Sequence, residues 1–220
     1  MKKEILKTTD GSYTLYVPEL DETYHSTNGA LQESLHVFIE AGLKFSQLKN
    51  ASILEIGFGT GLNALTTFDE VQKSALNIAY TSIEAFPLSW NEVSKLNYLA
   101  LDNFEGYTVS FKEMHTCDWG EHNVITPNFS LRKMNLKLQE VLFENEFDLI
   151  YFDAFAPQIQ PELWTEAVFE RMYKALKPSG ILVTYCAKGS VKRALKTVGF
   201  ELHSIPGPPG KREMSRALKV

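Results

Sequence analysis

Two hydrophobic periods alternate along residues 46–220 of the chain. Short apolar runs at residues 53–56, 78–83 and 147–152 have the length and the β-branched or aromatic content of buried strands. Between these runs, apolar residues recur every three or four positions, which is the spacing of one helix face. Because strands and helices alternate, the pattern predicts an α/β fold with a mostly parallel sheet. Residues 102–128 show no clear period, and we expect an irregular insertion there.

The N-terminal part of the chain follows a different pattern. Residues 12–17 are aromatic and β-branched, which is typical of a hairpin strand at a sheet edge. Apolar residues in the stretch 31–43 recur at helical spacing and favour a helix packed on the core. We therefore expect one domain over residues 1–220, in which residues 1–45 form a hairpin and helix extension and residues 46–220 form the catalytic α/β core.

Composition narrows the class of protein. Hydrophobic residues make up 44% of the 220 positions, which is enough for a full core and argues against disorder. No run of about 18 apolar residues occurs and the N-terminus is polar, so we expect no membrane span, no signal peptide and a cytoplasmic location. The two cysteines and five histidines have no paired spacing, so neither a metal site nor a disulfide framework is expected.

The charge balance argues against one mode of nucleic-acid binding. The formal net charge is −5, whereas a protein that binds nucleic acid with its whole surface is usually basic. A local basic region near the C-terminus is nevertheless suited to phosphate contact, although solvated surface charge explains any single member nearly as well. This region comprises Lys188, Lys192, Arg193, Lys196, Lys211, Arg212 and Arg216.

A glycine-rich turn follows the apolar run at residues 53–56. Gly57, Gly59 and Gly61 let the backbone turn tightly and approach a ligand, at a strand end where nucleotide-like cofactors bind. Leu62 stands where a dinucleotide fingerprint requires its third glycine, and no P-loop motif occurs. The turn contains no cation, which favours a ligand with little negative charge. S-adenosylmethionine fits this expectation because it carries no phosphate.

Polar side chains stand at or just after the ends of successive inferred strands. They are Glu55, Glu84, Asn135 and Asp153. In an open α/β sheet such strand ends converge on one crevice. A carboxylate at Glu84 can accept hydrogen bonds from both ribose hydroxyls. The amide of Asn135 is a candidate for reading an adenine edge, with a turn asparagine as the alternative.

Asp153 is the candidate catalytic residue. A carboxylate beside the reactive end of the cofactor can orient an amine nucleophile and take its proton. An alkylamine is mostly protonated at neutral pH, with a pKa of ~10.4 for a lysine-like group, so an acceptor in a desolvated site helps to expose the lone pair. Phe155 and Pro157 can form an apolar wall for a planar base. The alternative for Asp153 is a capping aspartate on a structural loop.

Longer motifs resemble those of one known family. Residues 54–63 resemble its GFGTGLN motif, and residues 82–88 resemble SVEKFPL. Residues 152–164 are similar to LDGFAPxxNPxMW, and residues 210–214 are similar to GRKREM. The family is the methyltransferase domain of MnmC, the bifunctional bacterial protein that modifies the tRNA wobble uridine, and the resemblance covers about residues 20–218.

The resemblance implies a Rossmann-like, class I S-adenosyl-L-methionine-dependent methyltransferase, with a mostly parallel seven-stranded sheet and helices on both faces. It implies methylation of the aminomethyl group on the wobble uridine, which completes 5-methylaminomethyl-2-thiouridine in the tRNA anticodon region. The residues expected to hold the cofactor are Glu55, Gly57, Gly59, Gly61, Asn63, Glu84, Asn135 and Asp153, and Asp153 is also the expected catalytic residue. The residues expected to contact the substrate are Phe155, Pro157, Lys188, Arg193, Lys211 and Arg212.

The chain also departs from the family pattern. Asn135 stands where the family often has an aspartate, and Ala154 replaces a glycine. The FAD-dependent oxidoreductase part of the family is absent, so we expect a stand-alone methyltransferase domain that uses neither FAD nor a metal. Three alternatives stay open: a small-molecule amine or protein as the methyl acceptor, a non-catalytic tRNA-binding module, and a dehydrogenase. The oligomeric state is also open, with a monomer as one option.

Overall fold

The computed structural model describes residues 1–101 and 104–220; Asp102 and Asn103, at the start of the predicted irregular insertion, lie outside the described residues. The strands are β1 (Glu4–Lys7), β2 (Tyr13–Val17), β3 (Glu22–Thr23), β4 (Asn50–Ile56), β5 (Asn77–Ile83), β6 (His122–Thr126), β7 (Phe129–Met134), β8 (Phe147–Phe152), β9 (Leu176–Thr184), β10 (Phe200–Pro206) and β11 (Glu213–Lys219). The α-helices are α1 (Ala30–Ser34), α2 (Leu62–Ser74), α3 (Trp90–Val93), α4 (Thr108–Thr116), α5 (Glu166–Ala175) and α6 (Gly189–Val198). Helix α1 continues directly as a π-helix (Leu35–Lys44), and short 3₁₀ turns occur at Tyr98–Ala100, Phe104–Tyr107, Leu138–Glu140 and Pro161–Leu163.

The main sheet has the strand order β10-β11-β9-β8-β4-β5-β7-β6, and β1, β2 and β3 form a separate small sheet. The strands from β9 to β7 in this order run parallel, while β10, β11 and β6 run antiparallel to their neighbours. The predicted α/β fold with a mostly parallel sheet is therefore confirmed. Strand β4 lies between β8 and β5, so its glycine-rich carboxyl end stands in the middle of the sheet edge.

The described residues place eight strands in the main sheet, and the expected number of seven was wrong. The additional strand is β6, which pairs antiparallel with β7 inside the stretch that lacked a readable pattern. Only Ile125 of its five residues is buried, so this edge strand carries almost no alternation of apolar and polar positions. An edge strand without a buried face leaves little signal in the sequence.

Helices cover both faces of the sheet, as expected. Neighbouring residues of β8 point to opposite faces: Tyr151 packs in the core beneath α2 and the π-helix, and Phe152 packs in the core beneath α5 and α6. Both faces of the strand are buried, which explains its continuous apolar run. Gly42 lets the π-helix approach the sheet, since an added Cβ would lie 3.1 Å from Val183 Cγ2.

The N-terminal extension folds back onto the core. The Asn97 side chain joins them, because its Oδ1 accepts from Tyr13 N–H at 2.8 Å and its Nδ2 donates to the carbonyl of Gly11 at 2.9 Å. Residues 22–27 and Glu33 of the extension lie at the carboxyl ends of the parallel strands, where the site is found. Among residues 1–101 and 104–220, no helix has both the length and the apolar character needed to cross a membrane.

Candidate active site

A cavity of about 1320 Å³ opens at the carboxyl ends of the central strands. Ile56 at the end of β4, Ile83 at the end of β5 and Asp153 after β8 line it. Two segments from outside the parallel strands contribute to the wall: residues 22–27 of the extension and residues 211–213 at the start of β11. The ends of β4, β5 and β8 therefore meet at one crevice, as the strand-end rule predicts, and two of the four polar strand-end residues, Glu84 and Asp153, line it.

Gly57 brings two strand ends together. Its φ of 91° lies in the left-handed region that favours glycine, and an added Cβ would lie 2.7 Å from the carbonyl oxygen of Asp153. Its N–H donates to the carbonyl of Ile83 at 2.9 Å, and the Asp153 N–H donates to the carbonyl of Ile56 at 3.1 Å. A side chain at Gly57 would therefore push the segment after β8 away from the cavity wall.

Gly59 fixes the carboxylate of Glu84. The Gly59 N–H donates to Glu84 Oε2 at 3.0 Å, and the Phe86 N–H donates to Oε1 at 2.8 Å. Both Gly59 and Glu84 line the cavity. Each carboxylate oxygen keeps a free lone pair after accepting one backbone donor, so Glu84 can still accept hydrogen bonds from a ligand.

Gly61, the last glycine of the turn, lies outside the cavity wall. Its φ is 74°, and an added Cβ would lie 2.6 Å from Nε2 of His115 on α4. Burial lowers the pKa of His115 to about 3, so this imidazole is neutral behind the turn. Gly61 thus lets α4 pack closely against the turn, and its contact with the cofactor stays a prediction.

Asn135 and Glu55 also lie outside the cavity wall. The exposed Asn135 donates from Nδ2 to the carbonyl of Glu84 at 2.8 Å, so its amide supports the backbone that carries Glu84. The Asn135 amide is thus engaged with the backbone beside the cavity, and its contact with an adenine edge stays a prediction. Glu55 is fully buried beneath the turn and accepts from Ser82 Oγ at 2.7 Å, and burial raises its pKa well above the usual range. Glu55 therefore lies beneath the glycine turn and supports it from within the core.

Asp153 is held by a short chain of side-chain contacts. Asn63 Nδ2 donates to Asp153 Oδ2 at 2.8 Å, and Ser34 Oγ donates to Asn63 Oδ1 at 2.7 Å. Removal from bulk water and, second to it, the charge of Glu33 raise the pKa of Asp153 to about 7, although Asn63 and Lys211 act in the opposite direction. Near neutral pH this carboxyl group can therefore both accept and release a proton.

Glu33 is a cavity residue that the sequence analysis did not identify. Its side chain is almost fully buried at the cavity wall, where Oε1 accepts from Lys211 Nζ at 2.6 Å. Lys211 also lies over the ring of Tyr185, with Nζ 3.9 Å from the ring centroid. Glu33 stands beside the apolar face of a helix in the sequence, and a negative residue at such a position is usually solvent-exposed.

Aromatic side chains form the wall beyond Asp153. The predicted residues Phe155 and Pro157 both line the cavity, and the ring of Tyr24 packs edge-on against Phe155 with centroids 5.1 Å apart. His25 stands next to Tyr24, with its Nε2 at 2.7 Å from Thr60 Oγ1. Burial lowers the pKa of His25 to about 4, so it is a neutral part of this wall. Neither Tyr24 nor His25 was predicted, because both come from the extension.

The predicted basic residues take different positions. Lys188 and Arg212 stand at the rim of the cavity, and Arg212 is 92% exposed. Arg193 is exposed on α6 outside the cavity wall. Lys211 is instead engaged with Glu33 inside the cavity. Within the described parts of the chain, no group of three or more His, Cys, Asp or Glu side chains is arranged to hold a metal ion.

Comparison with protein families and curated proteins gives consistent matches. A family model described as S-adenosyl-L-methionine-dependent methyltransferase matches residues 92–220. The "tRNA 5-methylaminomethyl-2-thiouridine biosynthesis bifunctional protein MnmC" of Leptospira interrogans is 32% identical over 216 residues, which cover 89% of this chain and 32% of that protein. The protein of the same name from Cupriavidus metallidurans is 29% identical over 229 residues, covering 97% of this chain and 33% of that protein. The chain thus spans about a third of the length of the curated relatives it matches.

Solved structures share the whole fold. The structure of MNMC2 from Aquifex aeolicus superposes with a TM-score of 0.74 at 25% identity, covering 98% of this chain and 69% of the other. Spermidine synthase from Thermotoga maritima superposes with a TM-score of 0.58 at 17% identity, covering 99% of this chain and 68% of the other. At that identity the second similarity concerns the fold alone.

Proposed function

This chain belongs to the family of S-adenosyl-L-methionine-dependent methyltransferases, and we propose that it methylates the aminomethyl nitrogen of the wobble uridine in tRNA. The product would be 5-methylaminomethyl-2-thiouridine. The observation that carries the proposal is the buried carboxyl group of Asp153, whose pKa is raised to about 7 by burial at the aromatic end of the cavity. The relatives named for this tRNA modification match 89% and 97% of the chain and support the choice of acceptor.

The residues around the glycine turn fit the cofactor of the family. Gly57 and Gly59 line the cavity without side chains, so their backbone is open to a ligand, and the segment from Gly57 to Asn63 has no cation to attract a phosphate. Glu84 would accept hydrogen bonds from the ribose hydroxyls. When bound, S-adenosyl-L-methionine supplies an electrophilic methyl group on a sulfonium. The proposed reaction needs neither FAD nor a metal ion.

Asp153 would act on the acceptor. An alkylammonium has no lone pair for attack, so one proton must leave the nitrogen before it reacts. Asp153 can take this proton because its pKa of about 7 keeps the carboxylate substantially ionised at neutral pH while retaining proton affinity. Asn63 holds the carboxylate in one orientation through the 2.8 Å hydrogen bond, which favours a fixed approach of the amine.

The cavity has room for both reactants. Its volume of about 1320 Å³ exceeds the roughly 300–1,000 Å³ of pockets that hold one small ligand. Tyr24 and Phe155 would form an apolar wall for a planar base beyond Asp153. We propose that three exposed cations, Lys188, Arg193 and Arg212, contact phosphates of the tRNA anticodon region. The proposed location of the reaction is the cytoplasm.

The test is methyl transfer to tRNA from cells that lack this protein. The purified protein is incubated with that tRNA and methyl-labelled cofactor, and the tRNA is then digested to nucleosides. We expect the label in a methylaminomethyl uridine, and a rate of labelling lower by about 10²–10⁴ with Asp153→Asn. A matched control is Gly106→Ala, because an added Cβ at Gly106 has no neighbour within 4 Å.

Two outcomes would contradict the proposal in different ways. Label that persists in small molecules or protein after ribonuclease treatment would identify another acceptor. Absence of methyl transfer with every tRNA pool, from a protein that binds the cofactor, would identify a non-catalytic tRNA-binding module. Nucleoside analysis of tRNA from cells with and without the protein checks the same point in vivo.

A further inference from the structure

Glu33 is a buried acidic residue to which the reaction described above assigns no role. It lies in α1, is 7% exposed and lines the same cavity as Asp153. Its Oε1 accepts from Lys211 Nζ at 2.6 Å and its Oε2 accepts from Ser26 N–H at 3.0 Å. Burying a carboxylate is unfavourable unless it is paired, so a carboxylate with both oxygens engaged here has a defined place in the site.

We propose that Glu33 is a positioning residue that, together with Asp153, makes the acceptor end of the cavity a site for a cationic alkylamine, with Lys211 limiting its effect. The inference rests on the proposed function, because it takes the acceptor to be an amine. It adds a role for Glu33 in attracting the cationic acceptor, and it assigns Lys211 to the cavity and not to tRNA phosphates.

A continuous contact chain connects the helix of Glu33 to Asp153. Ser34, the next residue in α1, donates from Oγ to Asn63 Oδ1 at 2.7 Å and lies 2.9 Å from Thr66 Oγ1. With its oxygen so engaged, the Asn63 amide must present its NH₂ to Asp153, where it donates at 2.8 Å. The same two residues of α1 thus orient Asp153 and place a negative charge in its cavity.

The charged and titratable groups around Asp153 come from every neighbouring element. Glu33 from α1 raises the pKa of Asp153, and Lys211 from the loop before β11 lowers it. Glu55 of β4, Tyr80 of β5 and Tyr185 after β9 are also close, and burial raises the pKa of each well above its usual range. The two tyrosines are therefore neutral near pH 7 and burial favours the neutral form of Glu55, so the ion pair is the adjustable electrostatic element.

Several contacts keep the ion pair in the cavity. Lys211 lies across the ring of Tyr185, with Nζ 3.9 Å from the centroid. The loop before it is joined to the extension, because His36 Nε2 lies 2.9 Å from the carbonyl of Pro206. Gly210 packs so closely on Asn28 that an added Cβ would overlap its side chain. The N-terminal extension and the loop before β11 therefore contact each other beside the ion pair.

The chemical step assigned to this arrangement is one proton transfer. The N–H bond of the alkylammonium breaks, its electron pair stays on nitrogen as the attacking lone pair, and the proton forms an O–H bond with Asp153. The charge of Glu33 favours this step, because it stabilises the protonated form of Asp153 and attracts the incoming cation. Lys211 has the opposite effect, so removal of either charge changes the proton affinity of Asp153 in a known direction.

The test is a carboxyl ¹³C NMR titration of the protein without ligands, in which Asp153 is assigned by the signal that Asp153→Asn removes. We expect Glu33→Gln to lower the pKa of Asp153 by about 0.5–1 unit and Lys211→Met to raise it by a similar amount. In the protein that carries both substitutions, the pKa of Asp153 should return most of the way to its wild-type value. The control is Glu40→Gln, which removes a charge 60% exposed on the continuing helix, and it should leave the titration unchanged.

Activity adds a second measurement. The acid limb of the pH profile of kcat should move to lower pH in Glu33→Gln and to higher pH in Lys211→Met. Shifts in the same direction for both variants, or no shift in a folded Glu33→Gln protein, would overturn the inference. If the NMR titration shifts as expected but no tRNA is methylated, the proposed function fails and the coupling stands. If tRNA is methylated and the titration does not shift, only the inference fails.

Discussion

The two ends of the cavity are formed by different kinds of group, backbone at one end and side chains at the other. At the end where we propose that the cofactor binds (the cofactor end), the wall is backbone from one short stretch, residues 57–59, and the side chain of Glu84 is fixed by backbone N–H groups at 2.8 and 3.0 Å. At the end where we propose that the methyl acceptor binds (the acceptor end), Asp153, Glu33 and Lys211 are side chains from three segments far apart in the chain. One end is therefore local in sequence and the other depends on the tertiary fold.

Because of this difference, the two ends of the cavity should respond to different kinds of substitution. The cofactor end depends on backbone conformation, so it tolerates changes of neighbouring side chains but not of a glycine with positive φ. The acceptor end depends on charge and hydrogen bonding, so isosteric substitutions there should change chemistry without disturbing the fold. The variants below test the comparison from the largest expected effect to the smallest.

Asp153→Asn should give the largest effect. The substitution removes the proton acceptor but leaves an oxygen for the hydrogen bond from Asn63, so we expect kcat to fall by about 10²–10⁴ and cofactor affinity to change little. Steady-state kinetics and calorimetric titration of the cofactor measure the two quantities. An equal loss in both would place Asp153 in cofactor binding and remove the distinction between the two ends.

Gly57→Ala should mainly reduce the affinity for the cofactor, in contrast to Asp153→Asn. A residue with a Cβ is strained at φ 91° and would meet the carbonyl of Asp153 at 2.7 Å, so we expect cofactor affinity to fall by about 10–100-fold. Calorimetric titration measures the affinity, and Gly106→Ala is the control in open space. Wild-type affinity in Gly57→Ala would show that the turn is less rigid than its contacts indicate.

The pH dependence of stability should differ between Asp153→Asn and the wild type. The folded pKa of Asp153 is about 7 and its ordinary value is 3.8, so the unfolded chain releases this proton at a lower pH than the folded protein. Its contribution to the free energy of unfolding therefore falls as pH rises from about 4 to about 7. We expect the variant to match the wild type near pH 4 and to be more stable by about 1–3 kcal/mol at pH 8, as measured by chemical denaturation. A constant difference across this range would contradict the raised pKa.

Asn135→Ala should give the smallest effect. It removes an exposed hydrogen bond to the carbonyl of Glu84, so we expect a loss of about 0.5–1 kcal/mol in the free energy of unfolding and an almost unchanged cofactor affinity. Thermal unfolding and cofactor titration measure both. A loss of affinity above about tenfold would instead support a direct contact of Asn135 with the adenine.

The parallel core and much of the cofactor end were predictable because they depend on short-range patterns. Alternating periods defined the α/β fold, and the strand-end rule brought Gly57, Glu84 and Asp153 to one crevice. The same rule located Asn135 and Gly61 without showing which side of the backbone faces the cavity. Asn135 turns towards the carbonyl of Glu84, and Gly61 turns towards His115.

The missing parts of the prediction share a cause. Only one of the five residues of β6 is buried, so its sequence shows almost no alternation of apolar and polar positions. Tyr24, His25 and Glu33 belong to the extension, and their place in the cavity follows from a fold-back that no local pattern reports. Lys211 resembled a surface cation within a basic stretch, yet it is paired with Glu33 inside the cavity.

The sequence by itself determined the alternation of strands and helices, the glycine turn and the carboxylates at the strand ends, because these depend on periodicity and on backbone conformations that only glycine adopts readily. Tertiary structure alone decided how the acceptor end is assembled. The electrostatics there depend on burial and on distances between residues as far apart in the chain as Glu33 and Lys211. Such distances exist only after the extension and the β11 end have packed over the sheet edge, and that packing gives Asp153 its proton affinity.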